Sequence, residues 1–246
     1  MQAVILAAGK GTRLKPFTDT HSKAMAPIAG KPIVHRVIDN ISKTGINNFV
    51  IVISPDDNEQ KAYLESNLKD FNVTLAYQSE QLGMGHALKC ASEYINDDFL
   101  VSACDTLIDQ PSIQNLKDKF ETGDCSMVFA LDTAPEHKIS SYGIVDFDDS
   151  GRVKSIIEKP DPKDAPSNKY AVPMYIFSLE FRNYLDRLKL SPREEYEIQD
   201  AISAFLEDKG PQPGIFIQER HDLTTMEDLE RINKMYKEKS GRGARI

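Results

Sequence analysis

The absences in this 246-residue chain are informative. Cysteine is scarce: Cys90, Cys104 and Cys125 are odd in number and none shows C-x-x-C spacing. That argues against a disulfide framework or a thiolate metal site, and points to reduced thiols in a cytoplasmic protein. Positive charge is in deficit, with 30 Lys and Arg against 38 Asp and Glu and a net charge of −8. The chain as a whole therefore does not attract nucleic acid or an anionic membrane, and an anionic ligand has to be met by a local cation cluster or a metal. No apolar run approaches the roughly 18 residues of a spanning helix. The start "MQAVILAAGK" lacks the basic region of a signal peptide. There is no repeat of domain scale and no stretch with the composition of an interdomain linker.

Two phosphate-binding signatures are missing as well. Leu14 stands where the dinucleotide fingerprint G-x-G-x-x-G needs its third glycine, and the P-loop pattern G-x-x-x-x-G-K-[ST] occurs nowhere.

What is present reads as an α/β protein. Apolar residues make up 40% and glycines number 13, enough for a sizeable core. "QAVILAA" is a short apolar run suited to a strand covered on both faces. "PIVHRVIDNISKTG" has Ile33, Val37, Ile38 and Ile41 at helical spacing, and "NNFVIVIS" is a second strand. "SPDDNEQKAYLESNL" reads as a helix capped by Ser54 with Pro55 in its first turn. "NVTLAYQ" (strand), "GHALKCASEYI" (helix) and "DFLVSAC" (strand) continue the alternation, which implies a mainly parallel, Rossmann-like sheet with helices on both faces. After "CSMVFAL" the pattern changes. "YGIVDFDDSGRVKSIIEK" reads as a hairpin, "KYAVPMYIFS" as a strand, and helices are expected near Leu179–Leu188 and Ile198–Glu207. A strand "GIFIQE" and a helix "TTMEDLERINKMYKEK" follow. The expected organisation is one domain over residues 1–240. A nucleotide-binding half runs to about residue 130 and a small β-rich, substrate-covering half spans about 131–240, with a mobile tail at 241–246.

The first strand leads into "LAAGKGTRLKPFT". In a parallel sheet the ligand crevice lies at the carboxyl ends of the strands. Gly9 and Gly11 would let backbone N–H groups approach phosphate oxygens. Arg13 supplies a fixed fork of donors, and Lys15 or Lys23 a mobile point charge. A plain glycine-rich turn with solvated charges is the alternative for those residues alone.

The longer stretch, "LAAGKGTRLKPFT" followed by "SKAMAPIAGKPI", resembles the sugar nucleotidyltransferases, also called nucleoside-diphosphate-sugar pyrophosphorylases. Their signature is L-A-[AG]-G-x-G-T-R-L-x-P-L-T with P-K-x-[LM]-x-P-[VI]-x-G-K-P. Further landmarks are "YQSEQLGMGHAL", "CDTLI", "YGIVDF", "IIEKP", "EYEIQDAI" and "HDLTTMEDLERI"; the family's β-helix tail is absent, so the resemblance covers a catalytic domain. It implies transfer of a nucleoside monophosphate from a nucleoside triphosphate to a sugar 1-phosphate, with pyrophosphate leaving. The attacking phosphate oxygen is already ionised, so no general base is needed, in keeping with five histidines and no recognisable Ser/His/Asp arrangement.

The same resemblance implies the site. Arg13 and Lys23 would be catalytic. Leu6, Ala8, Gly9, Gly11, Thr12, Gln78 and Gly83 would bind the nucleotide, with Gln78 favouring uracil or thymine. Gly143, Glu158 and Lys159 would hold the sugar phosphate, and Asp105 and Asp222 one Mg²⁺. Asp222 also reads as a helix cap ahead of "TTMED". Departures from the pattern are Cys104 for glycine, Met84 for threonine and Ala171-Val172-Pro173 ahead of Tyr175. Two alternatives stay open: a cytidylyltransferase for a non-sugar phosphate such as an alditol or amino-alcohol phosphate, and an inactive sugar-nucleotide-binding paralogue. A homo-oligomer is also left open; neither nucleic acid nor membrane is expected as a partner.

Overall fold

The computed structural model describes residues 1–243. In chain order the elements are β1 (Gln2–Leu6), the short pair β2 (Pro27–Ile28) and β3 (Lys31–Pro32), α1 (Ile33–Ser42), β4 (Asn48–Ile53), α2 (Asn58–Asn67), β5 (Asn72–Tyr77), α3 (Met84–Ala91), β6 (Phe99–Ala103), β7 (Thr106–Ile108) and α4 (Gln110–Glu121). Then come β8 (Met127–Thr133), β9 (Gly143–Phe147), β10 (Val153–Glu158), β11 (Lys169–Phe177), α5 (Ile198–Lys209), β12 (Gly214–Phe216), β13 (Arg220–Asp222) and α6 (Met226–Gly243).

One nine-stranded sheet runs through the molecule in the order β10-β9-β11-β6-β1-β4-β5, with β8 also on β11 and β12 on β8. Strands β6, β1, β4 and β5 are mutually parallel. Strand β11 is antiparallel to both β6 and β8, and β9 and β10 form an antiparallel hairpin. Strand β1 shows why the sheet needs helices on both faces. Side chains alternate across a strand: Ala3 and Ile5 enter one hydrophobic cluster with α1, α4 and α6, while Val4 and Leu6 enter the other with α3 and α5. Each fully buried Ile or Phe there contributes about 1.5–3 kcal/mol.

Most of the expected elements are present; the differences are local. Helix α2 starts at Asn58, and its cap is Asp57, whose side chain accepts from the Gln60 N–H at 2.9 Å. Ser54 instead opens a turn, its carbonyl accepting from Asp57 N–H, so the expected cap was placed one turn too early. Helix α4 was not anticipated, although Asp109 caps it and Pro111 sits in its first turn. Residues 179–187 form a 3-10 helix. Helix α6 continues through residues 241–243, so that part of the expected mobile tail is helical; residues 244–246 lie outside the described residues. No helix among the described residues is long and apolar enough to cross a membrane.

Candidate active site

A cleft of about 1200 Å³ opens at the carboxyl ends of the parallel strands. Of the residues expected in the site, Leu6, Ala8, Gly9, Gly11, Thr12, Arg13, Lys23, Gln78, Gly83, Asp105, Glu158, Lys159 and Asp222 all line it. Gly143 does not. It pairs with Glu158 across the β9–β10 hairpin, and a methyl group at Gly143 would lie 3.0 Å from Glu158 Oε2. The Glu158 carboxylate thus lies close beside this glycine. A smaller hollow of about 540 Å³, beside Pro27, Gly30 and Asn233, holds none of these residues.

The loop after β1 is shaped by two short 3-10 turns, Thr12–Leu14 and Phe17–Asp19. Leu14 anchors it in the core. Gly11 has φ +61°, and a side chain there would meet Lys23 Cβ at 2.7 Å, so glycine is required both by conformation and by space. Gly9 faces open space. Arg13 is exposed on the cleft wall with no partner among the described residues. Lys23 reaches across the loop to form an ion pair with Asp105.

Asp105 and Asp222 lie 117 residues apart in sequence and meet through the short antiparallel pair β7–β13. Register places Thr106 opposite Asp222, and the Leu223 N–H donates to the Asp105 carbonyl at 2.9 Å. The Thr106 hydroxyl lies 3.1 Å from Asp222 Oδ1 and 3.4 Å from Asp105 Oδ1. One hydroxyl proton can satisfy only one of them. Asp222 therefore belongs to a strand. The cap of α6 is formed by Thr225 and Asp228, which exchange hydrogen bonds in both directions at 3.0 and 3.2 Å. Two carboxylates converging on the cleft through Thr106 form an all-oxygen set that suits Mg²⁺, which takes one or two carboxylates plus phosphate oxygens. The residues fit that ion.

Arg220 is the residue that sequence reasoning missed. Its side chain is only 10% exposed and grips Asp222 with Nε at 2.8 Å and with Nη2. It also bonds the Tyr170 hydroxyl and lies 3.6 Å from Asp132. Burial disfavours its charge, and the bond and charge of Asp222 outweigh that and raise its pKa. Burial likewise raises the Tyr170 hydroxyl, so it stays protonated and donates to Asp132 at 3.0 Å.

On the opposite wall Glu158 Oε1 is met by Lys159 at 3.3 Å and Arg193 at 3.6 Å. Glu158 Oε2 is buried without a hydrogen bond among the described residues. Lys159 has φ +48°, and its N–H is tied to the Tyr142 carbonyl. Pro173 lies where β11 departs from its register with β8, between Ala171 and Tyr175, a site that tolerates a missing N–H. Cys104 is buried beneath the cleft. Burial, helped by Asp105, pushes its thiol up to about 12, so it stays protonated and unreactive.

A cleft at the carboxyl ends of parallel strands, with a glycine loop, free and paired cations and two converging carboxylates, is the architecture of a nucleotide-binding α/β protein. The chain belongs to the nucleotidyl transferase family, whose model matches residues 2–239. It is 33% identical over 85% of its length to the low-salt glycan biosynthesis nucleotidyltransferase Agl11 of Haloferax volcanii, and spans 58% of that relative. It is 32% identical to a glucose-1-phosphate thymidylyltransferase of Mycolicibacterium smegmatis (84% of this chain, 71% of the relative). With a UTP–glucose-1-phosphate uridylyltransferase of Bacillus subtilis it shares 31% (82% and 78%). Among solved structures it is similar in fold to a UDP-glucose pyrophosphorylase complexed with UDP-glucose. The TM-score is 0.87 at 23% identity, covering 97% of this chain and 98% of the other.

Proposed function

We propose that this protein transfers a nucleoside monophosphate from a pyrimidine nucleoside triphosphate, UTP or dTTP, to a sugar 1-phosphate in a Mg²⁺-dependent reaction. A phosphate oxygen of the sugar phosphate attacks the α-phosphorus, the bond from that phosphorus to the α,β-bridging oxygen breaks, and pyrophosphate leaves. The observation that carries this reading is the Asp105–Thr106–Asp222 junction, set beside the glycine loop and facing Glu158 and Lys159 across one cleft.

In this reading the backbone of Leu6, Ala8, Gly9, Gly11 and Thr12 receives the triphosphate, and Arg13 holds the phosphates that depart as pyrophosphate. Lys23 moves from Asp105 to the reacting phosphate. Lys159, aided by Arg193, holds the sugar phosphate, and Glu158 Oε2 accepts from a sugar hydroxyl. Gly143 supports the Glu158 side chain. Gln78 and Gly83 face the base. Asp105 and Asp222 would hold Mg²⁺, which would supply positive charge against the charge that develops on the reacting phosphates. Everything else is positioning of two anions, which is what such a transfer requires. The two parts of residues 1–240 act as one catalytic domain in the cytoplasm.

The test is a matrix of five nucleoside triphosphates against several sugar 1-phosphates, plus an alditol phosphate, read by pyrophosphate release with MgCl₂. Release with UTP or dTTP and a sugar 1-phosphate is expected. Release only with CTP and the alditol phosphate, or none with any pair, contradicts the reading.

A further inference from the structure

Gln78 follows β5, is 3% exposed and lines the cleft. Both protons of its amide are engaged inside the protein. Nε2 lies 3.2 Å from the Gly83 carbonyl and 3.1 Å from His86 Nδ1. Its carbonyl oxygen has no partner among the described residues. The amide group left for a ligand is therefore an acceptor.

That arrangement depends on His86. To accept from Gln78, Nδ1 must be bare, which puts the ring proton on Nε2, 3.9 Å from Cys90 Sγ. Nδ1 also lies 3.0 Å from the Glu80 carbonyl, which calls for the other tautomer. One nitrogen cannot serve both. If it donates to Glu80, the Gln78 amide faces a donor with its own NH₂ and turns over, bringing its oxygen against the Gly83 carbonyl and its NH₂ towards the cleft. The first arrangement makes two separate hydrogen bonds; the second shares one proton. The first is favoured, and the base-facing group follows from it. The ring cannot simply swing away. It stacks on Tyr196, with centroids 5.8 Å apart, and Tyr196 is itself tied to the loop by its N–H to the Leu82 carbonyl at 2.7 Å and by the Gly85 N–H to its own carbonyl at 2.9 Å.

We infer that His86 is a positioning residue for base selection. By accepting the second amide proton of Gln78 it presents the Gln78 carbonyl to the ligand. It thereby favours a base with an N–H at ring position 3, uracil or thymine, over cytosine, whose N3 is an acceptor and whose N–H donor lies outside the ring on N4. This rests on the proposed reading of the loop at residues 78–84 as the base site.

Calorimetric titration of UTP and CTP, with MgCl₂, into wild type, His86→Phe, His86→Asn and Gln78→Ala tests it. Phe keeps a ring against Tyr196 but has no acceptor; Asn carries an oxygen at the same branch point as Nδ1. In wild type UTP should bind at least about tenfold tighter than CTP, the value of roughly one matched hydrogen bond. His86→Phe and Gln78→Ala should bring the two nucleotides to within about threefold, and His86→Asn should restore most of the difference. Nitrogen-15 NMR of the UTP complex should show His86 protonated at Nε2. A wild-type ratio in His86→Phe alongside a lost ratio in Gln78→Ala, or a His86 protonated at Nδ1 with UTP bound, overturns the role of His86. A wild-type ratio in Gln78→Ala overturns the base-site reading itself and the inference with it.

Discussion

The two walls of the cleft are built differently. The wall after β1 comes from one uninterrupted stretch, in which Gly11, Arg13 and Lys23 lie within thirteen residues. The rest of the cleft is assembled from side chains on the β9–β10 hairpin, β11, the loop at residues 191–197 and the β7–β13 pair, which meet only through pairings between distant stretches of the chain. Local chemistry dictates the first wall and long-range pairing dictates the second. The first should therefore fail sharply at single residues, and the second through its partners.

The largest effect is expected on the local wall. Arg13→Ala should lower kcat/KM by about 100-fold or more, since a charge-assisted contact is worth roughly 1.5–3 kcal/mol and a bidentate one exceeds that. Arg13 is exposed, so thermal denaturation should give an unchanged Tm. Near-wild-type turnover would remove Arg13 from the site and break the contrast between the walls.

Arg220→Gln should act in the opposite sense, on the fold before the chemistry. It leaves Asp222, Asp132 and the Tyr170 hydroxyl without their shared cation. The carboxylates are about a third exposed, so a loss of about 1–3 kcal/mol is expected, less than for a fully buried pair. A lowered Tm with severalfold weaker Mn²⁺ binding, followed by electron paramagnetic resonance, would bear this out. Unchanged stability would mean that Arg220 is a bystander to Asp222.

A smaller effect is expected where the walls touch. Gly83 has φ +93°, and a methyl group there would meet the Tyr196 carbonyl at 2.9 Å. Gly83→Ala should cost about 1–2 kcal/mol in strain and raise KM for the nucleotide severalfold with little change in kcat. Equal changes in KM for both substrates would show that the loop and Tyr196 move as one unit.

Legibility in the sequence follows the same division. The parallel strands were readable because each is a short apolar run followed by a helix, and the glycine loop because its whole chemistry lies in thirteen consecutive residues. Asp105 and Asp222 were legible only through the family resemblance. Nothing in their own neighbourhoods shows that β7 and β13 pair, each being three residues long. Arg220 escaped because a lone arginine two positions from an aspartate reads as a surface charge. The coupling of Gln78 to His86 escaped because it depends on ring orientation, which spacing does not fix. Helix α4 was overlooked although Asp109 and Pro111 mark its start; that one was readable.

The central claim is that one metal ion joins carboxylates contributed by the two parts of the chain. Titrating MgCl₂ against pyrophosphate release in wild type, Asp105→Asn, Asp222→Asn and the double variant tests it most directly. Each single variant should need at least about tenfold more Mg²⁺ and lose kcat together with kcat/KM. The double variant should be little worse than either single, because both carboxylates act on one ion. A wild-type Mg²⁺ curve for Asp222→Asn with failure of Asp105→Asn, or fully additive losses in the double variant, would contradict a shared metal.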